Sequence, residues 1–312
     1  MRAKYDPKRH ELALRKRTIV SALIIFILIP VTIFIGIKYL EDQRYMLIGL
    51  LILFYTMLPF FMIFEKRRVR TREIVMVAVM SALTAFGNLM CFMITPFQPG
   101  TAMVILSGIS FGPEAGFLVG AIARFVVNFF AGHGPWTPWQ MFCWGILGFL
   151  SGLIFNKANV DKVKSRSFQI IVGPVLSIIV SILIGYVIYI YTKSAGTFFG
   201  WWLYAFGAIG LLIGLFIQRK RLPIDDLTLA IFGFLATFII YGGIMNIAAM
   251  VMASAIPSSN ITISLKSLAI LYISGVPYDS VHGLGTAFFL FVFGEMMVKK
   301  MERVKIKYRL YV

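Results

Sequence analysis

The stretch Asn128–Gly148, NFFAGHGPWTPWQMFCWGILG, joins two apolar runs through a junction rich in Gly, Pro and Trp. On either side, 114–132 and 139–156 are long enough to cross about 30 Å of hydrocarbon as helices. Pro135 and Pro138 restrict the turn and remove hydrogen-bond donors, and Gly132 and Gly134 permit unusual dihedrals. The junction therefore reads as a rigid aromatic loop between two antiparallel membrane helices.

Working outward, similar apolar runs occupy 18–38, 46–64, 74–95, 168–191, 199–217, 227–254 and 279–299. The stretch 101–111 is a short additional helix, and 261–275 reads as a partial or surface helix. The chain is 59% hydrophobic and only 14% charged over 312 residues, with a mean hydropathy of +0.87. These values exclude an ordinary soluble domain. The fold class is all-α, a polytopic membrane bundle of about ten transmembrane helices. The long first apolar run, preceded by charged residues, argues against a cleaved signal peptide.

The net charge of +17 is a matter of placement. Lys and Arg gather before residue 18, at 66–72, 157–166 and 219–221, and after 298. The alternate loops hold only Lys38, Arg44, Lys193 and Lys266. This bias puts both termini in the cytoplasm and the basic segments against anionic lipid headgroups. It leaves no basic face for nucleic acid. In this topology the junction after Asn128 and the stretch Ser274–Gly283, SGVPYDSVHG, share the outer side.

Candidate chemistry collects there. Arg124 lies within a span, where an unpaired cation costs about 3 kcal/mol or more. Asn128 is one turn on, and Gly116 and Gly120 continue the stripe, so this face points into the bundle. The pair either anchors or gates a ligand, or ties helices together. His133, Trp136, Trp139 and Gln140 together form a pocket wall, or the two tryptophans alone mark the membrane boundary. Asp279 and His282 are three apart and share a helix face. Asp279 either caps the helix, pairs with Arg124 or His133, or meets a ligand with Tyr278. His133, Asp279 and His282 do not have the spacing of a metal site, and no metal or cofactor is expected. Ala78, Ala82 and Ala85 form a small-residue face, for internal packing or for docking a partner. Cys91 and Cys143 lie in apolar runs and suggest no disulfide. Phosphate-cradling, nucleophile-elbow and His-Glu-x-x-His motifs do not occur, so the chain is not expected to bind and hydrolyse ATP through such a loop, and a binding protein is expected rather than an enzyme.

There is also an internal echo. Gly112-Pro113 is followed by Trp139, Gly145, Gly148 and Gly152; Gly173-Pro174 is followed by Trp201, Gly207, Gly210 and Gly214. This pattern suggests a duplicated helical hairpin, a feature frequent in transporters.

The blocks AVMSALTAFGN, GISFGPEAGFLVGAIARFVVNFFAGHGPWTPWQMFCWGILGFLSGLIF and SGVPYDSVHGLGTAFFLF resemble the substrate-binding S component of energy-coupling factor (ECF) vitamin transporters. The GPWTPWQM block is most like the cobalamin or cobalamin-precursor group. The resemblance implies a plasma-membrane subunit that binds a vitamin at its outer face. It also implies docking through Ala78 and Ala82 on a transmembrane coupling subunit that carries two ATPases. Asn128, His133, Trp136, Trp139, Gln140, Tyr278, Asp279 and His282 would surround the ligand, and Arg124, read from the residues themselves, would brace the pocket from below together with Asn128. The expected organisation is a two-helix extension (1–70), a first core part (71–160), an inserted or duplicated hairpin (161–222) and a second core part (223–312). Two readings from other classes remain: a membrane enzyme acting on a lipid-linked substrate, and an assembly subunit without a ligand.

Overall fold

The computed structural model describes residues 19–20, 23–39, 51, 54–55, 71–155, 167–192, 197–217, 224–254, 256, 259 and 261–308. Among these, every regular element is helical. A π-helical turn, Ile24–Leu28, leads into α1 (Ile29–Tyr39). Then follow α2 (Thr71–Met90), α3 (Gly100–Phe111), α4 (Pro113–Ala131), α5 (Trp136–Ile154), α6 (Ser167–Tyr191) and α7 (Trp201–Ile217). Next, α8 (Asp226–Leu235) continues through a π-helical segment, Ala236–Gly242, into α9 (Gly243–Ser254). The final element, α10, runs from Leu265 to Tyr308. Thr71–Met90, Pro113–Ala131, Asp226–Ser254 and Leu265–Tyr308 are long and apolar enough to cross a membrane. The run 46–64 lies almost wholly outside the described residues.

The core is built on small residues. A bilayer gives helices no hydrophobic reason to associate, so close backbone packing and hydrogen bonds must hold them. On α4, Gly116 lies so near α5 that an added Cβ would sit 2.5 Å from the Gly148 carbonyl oxygen. An added Cβ at Gly120 would come within 2.6 Å of the Trp144 backbone. Helix α3 enters the same seam, where Gly108 abuts the Gly148 backbone and Ser151 donates to the Ile105 carbonyl at 3.0 Å. With twelve residues α3 reaches only about 18 Å. It is accordingly enclosed, with all its residues buried except Met103. The turn into α4 requires glycine: Gly112 has φ 104°, and Pro113 opens the helix, where its missing N–H is not needed.

Two expectations are corrected. The aromatic loop is shorter than its sequence suggests, because Trp136, Thr137, Pro138, Trp139 and Gln140 already belong to α5. The first N–H groups of a helix have no intrahelical acceptor, so Pro138 fits within the first turn. The stretch 261–275 is not separate from the last span either: α10 passes through Gly275 and Pro277 as one helix of 44 residues.

At one end of the bundle, Arg72 donates to the Tyr308 carbonyl (3.3 Å), and the Glu295 backbone N–H donates to Asp226 (3.1 Å). This is the end rich in Lys and Arg, and it gathers Glu73, Glu114, Asp225, Asp226, Glu295 and Glu302 as well. The opposite end holds the loop after α2, the start of α3 and the α4–α5 junction. The hairpin α6–α7 closes on itself through Ser177 to the Gly210 carbonyl (3.0 Å) and Ser181 to the Phe206 carbonyl (2.8 Å).

The seam makes a direct prediction. Gly116→Ala should destabilise the protein by about 1–3 kcal/mol, because backbone cannot yield to the new methyl. Gly243→Ala, with no neighbouring atom nearer than 3.8 Å, should be neutral or stabilising by about 0.4–1 kcal/mol. Thermal unfolding in detergent compares the two.

Candidate functional site

The glycine stripe on α4 continues, four residues at a time, into Arg124 and Asn128. It faces the stripe Gln140, Trp144 and Gly148 on α5. Gln140 Oε1 accepts from Arg124 Nε (2.9 Å) and from Asn128 Nδ2 (3.0 Å). Asn128 Nδ2 also donates to Thr137 Oγ1 at 3.0 Å. The Arg124 guanidinium carbon lies 5.1 Å from the centre of the Trp144 ring, a cation–π contact. Thr137 Oγ1 further accepts the Gly134 backbone N–H (3.1 Å), which fixes the junction. At that junction Gly132 takes φ 95°.

Arg124 opens on a cavity of about 70 Å³. Its floor is Trp144 and Val127, and one wall is Tyr278 and His282 of α10 with Tyr241 of the π-helical segment. Asn88 of α2 completes it, and Phe92, Thr95, Pro96 and Gln98 of the following loop cover it. His282 Nε2 is 2.9 Å from Thr101 Oγ1, and the imidazole meets the Tyr241 ring edge-on at 4.7 Å. Three buried polar atoms of this lining have no hydrogen-bond partner among the described residues: Asn88 Oδ1, Trp144 Nε1 and His282 Nδ1. Buried polar atoms are normally satisfied, so three around one cavity set this place apart from the rest of the bundle.

The other sequence candidates go elsewhere. Asp279 shares no face with His282 in its contacts. It accepts from Tyr204 Oη (2.6 Å) and Asn246 Nδ2 (2.8 Å), on the side of α7 and α9. It forms no pair with Arg124 or His133. Gly242 makes room for it, since a Cβ there would be 2.6 Å from the carboxylate. Tyr272 stands beside this network, donating to the Gly243 carbonyl at 2.9 Å. His133 lies against Phe129 and Phe125, with ring centres 4.6 and 5.1 Å away. Partial burial lowers its pKa below the ordinary imidazole value. Trp136 is exposed and covers Gly134, whereas Trp139 packs on the cluster around Ile24, Ile25 and Ile29. Neither indole lines the cavity. Among the described residues, no group of three His, Cys, Asp or Glu side chains could hold a metal ion.

Asn88, Gln98, Thr101, Trp144, Tyr204, Tyr241 and Asn246 were not singled out from the sequence. A signal existed for Asn88 and Asn246, which are amides inside apolar runs and need partners there. On α2, Ala78 and Ala82 are exposed, flanked by exposed Val75, Val79, Leu83 and Phe86, while Ala85 is buried.

Residues 68–200 match the family of S components of ECF-type riboflavin transporters. Among curated proteins, the chain is 34% identical over 103 residues to a UPF0397 protein of Aliivibrio fischeri, covering 31% of this chain and 55% of that protein. It is 32% identical over 110 residues to a UPF0397 protein of Vibrio atlanticus, covering 32% and 60%. A third, from Aliivibrio salmonicida, is 35% identical over 97 residues, covering 29% and 52%. The chain thus spans about half the length of the curated relatives it matches. No solved structure matches it. The family match agrees with the S-component resemblance and supports a substrate-binding transporter subunit; its description names riboflavin and not a corrinoid. With its apolar helices, the chain is a multi-pass protein of the plasma membrane.

The Asp279 network is testable as structure. Tyr204→Phe removes one of its two side-chain donors and should cost about 1–3 kcal/mol in unfolding free energy. Combined with Asn246→Ala, the losses should be non-additive by about 0.5 kcal/mol or more. Strict additivity would mean that the two donors do not share the carboxylate.

Proposed function

We propose that this protein is the S component of an ECF-type transporter, capturing a vitamin at the outer face of the membrane. The observation that carries the reading is the cavity beside Arg124, with its three unsatisfied polar atoms. It is walled by helices from both ends of the chain, and most of its lining falls within the family match. Its volume is well below the roughly 300–1,000 Å³ of typical ligand pockets. The loop Phe92–Gln98 therefore moves aside for a vitamin to enter. Arg124, Tyr278 and His282 meet the ligand directly. Asn128 and Gln140 hold Arg124 in place, and Asp279 anchors α10. His133, Trp136 and Trp139 form the outer rim.

On this reading both termini and the foot of α2 lie in the cytoplasm and about ten helices cross the bilayer, an orientation supported by the distribution of Lys and Arg. The exposed Ala78 and Ala82 then dock a transmembrane coupling subunit that carries two ATPases, whose ATP hydrolysis drives import. A corrinoid or its precursor suits the GPWTPWQM block. A flavin is the second reading, favoured by the family description.

Two experiments test this. Mass spectrometry of small molecules released from the purified protein, with a binding screen that includes riboflavin and cobalamin, should reveal one stoichiometric vitamin. Ala82→Trp should abolish uptake in cells while leaving vitamin binding within about twofold of wild type, since a docking face lies away from the ligand. Equal loss of binding and uptake would overturn the docking role. An absence of any ligand, together with loss of turnover in His282→Ala, would instead favour an enzyme.

A further inference from the structure

We infer that the ligand of this site carries an anionic group, a carboxylate or phosphate, and that Arg124 is its charge partner. The inference rests on the S-component reading of the cavity and goes beyond it by fixing the ligand's charge.

The first ground is what Arg124 lacks. Its Nε is engaged by Gln140, and its planar face lies on Trp144. Both partners are neutral, and both fix the direction of the guanidinium. Its terminal nitrogens have no hydrogen-bond acceptor among the described residues. A guanidinium held this way presents a planar fork suited to two parallel bonds from a carboxylate or phosphate.

The second ground is the distribution of acids. Six described carboxylates, from Glu73 to Glu302, lie at the basic end of the bundle. Asp279, on the same helix as the cavity wall, is the one described carboxylate near the cavity end. Tyr204 and Asn246 draw it to another side. The cavity lining thus contains a cation and no anion. In a partly desolvated site this imbalance is expensive until a ligand anion supplies the missing charge.

The third ground is the remaining chemistry. Trp144 Nε1 is a donor without an acceptor, and His282 Nδ1 is unpartnered; both are buried. A volume of about 70 Å³ takes an anionic group and not a whole vitamin. The cavity is thus the innermost subsite, with the body of the ligand lying toward the covering loop.

The test uses the full chain in phosphatidylcholine nanodiscs and matched ligands of which one member carries an additional anionic group. The pairs are riboflavin 5′-phosphate and riboflavin, cobyric acid and cobinamide, pantothenate and panthenol, biotin and biotin amide, and nicotinate and nicotinamide. Within whichever pair binds, the member with the additional anionic group should bind at least about tenfold tighter, the scale of one charge-assisted contact. Arg124→Met should reduce that ratio to near unity, because the loss falls chiefly on the anionic member. Arg124→Lys, which keeps the charge, should retain part of the ratio and guards against a variant that merely misfolds. Equal binding in the wild type, or a preference that survives Arg124→Met, overturns the inference while leaving the S-component reading intact. If no pair binds, the molecule released from protein purified from its own cells decides. A soluble anion supports the inference; a ligand neutral at pH 7, or a phospholipid, overturns it. Absence of any released ligand defeats the S-component reading as well.

Discussion

The close approach of α4 to α5 sets the geometry of everything around it. In a bilayer, apolar side chains gain little by leaving lipid for protein. Two helices therefore need a surface on which backbone can meet backbone. Gly116 and Gly120 provide it on α4, against Gly148 and the main chain of Trp144. Four-residue spacing then carries the same two faces toward the far end of the pair. There Arg124 and Asn128 meet Gln140, Thr137 and the Trp144 ring. The seam thus passes from backbone packing to polar recognition without changing direction. An error of one residue in register would separate Arg124 from Gln140 and leave both in an apolar setting.

The final helix organises polar chemistry in a similar way but divides it. Tyr278 and His282 belong to the cavity wall, whereas Asp279 belongs to the Tyr204–Asn246 network on another side. Adjacent positions on one helix thus serve two neighbouring sites of different charge. The Asp279 network also joins the core to α7, so the hairpin α6–α7 is connected to the helix that walls the cavity. That contact gives α6 and α7 a structural relation to the cavity, although they contribute none of its described lining.

Much of this was legible in the sequence, and the parts that were not have physical explanations. Gly116, Gly120, Arg124 and Asn128 stand out because their spacing is helical and a buried cation needs an enclosed face. The role of Gln140 was not legible: the sequence offered it as part of a pocket wall, whereas it accepts from Arg124 and Asn128 across the helix pair. The division between Asp279 and His282 was not legible: spacing of three gives a common side, but roughly 60° of helical rotation still separates them. Different neighbours decide each contact, and those neighbours come from distant parts of the chain. Gly275 and Pro277 lie within α10, although both residue types disrupt helices in water. Inside this bundle neighbouring helices support the backbone, and Gly275 lets Asn246 approach closely. Trp136 and Trp139 lie outside the cavity lining, one covering Gly134 and the other packed on the cluster around Ile24, Ile25 and Ile29.

The unbroken course of α10 has a mechanical consequence. From Tyr278 to Tyr308 it extends about 45 Å, well beyond the thickness of the hydrocarbon core. One end forms part of the cavity wall; the other accepts a hydrogen bond from Arg72 at the foot of α2. No hinge loop lies between them to absorb displacement. The helix therefore joins the two ends rigidly, so that a change of tilt at Tyr278 and His282 would be carried to Tyr308 and, through Arg72, to the foot of α2.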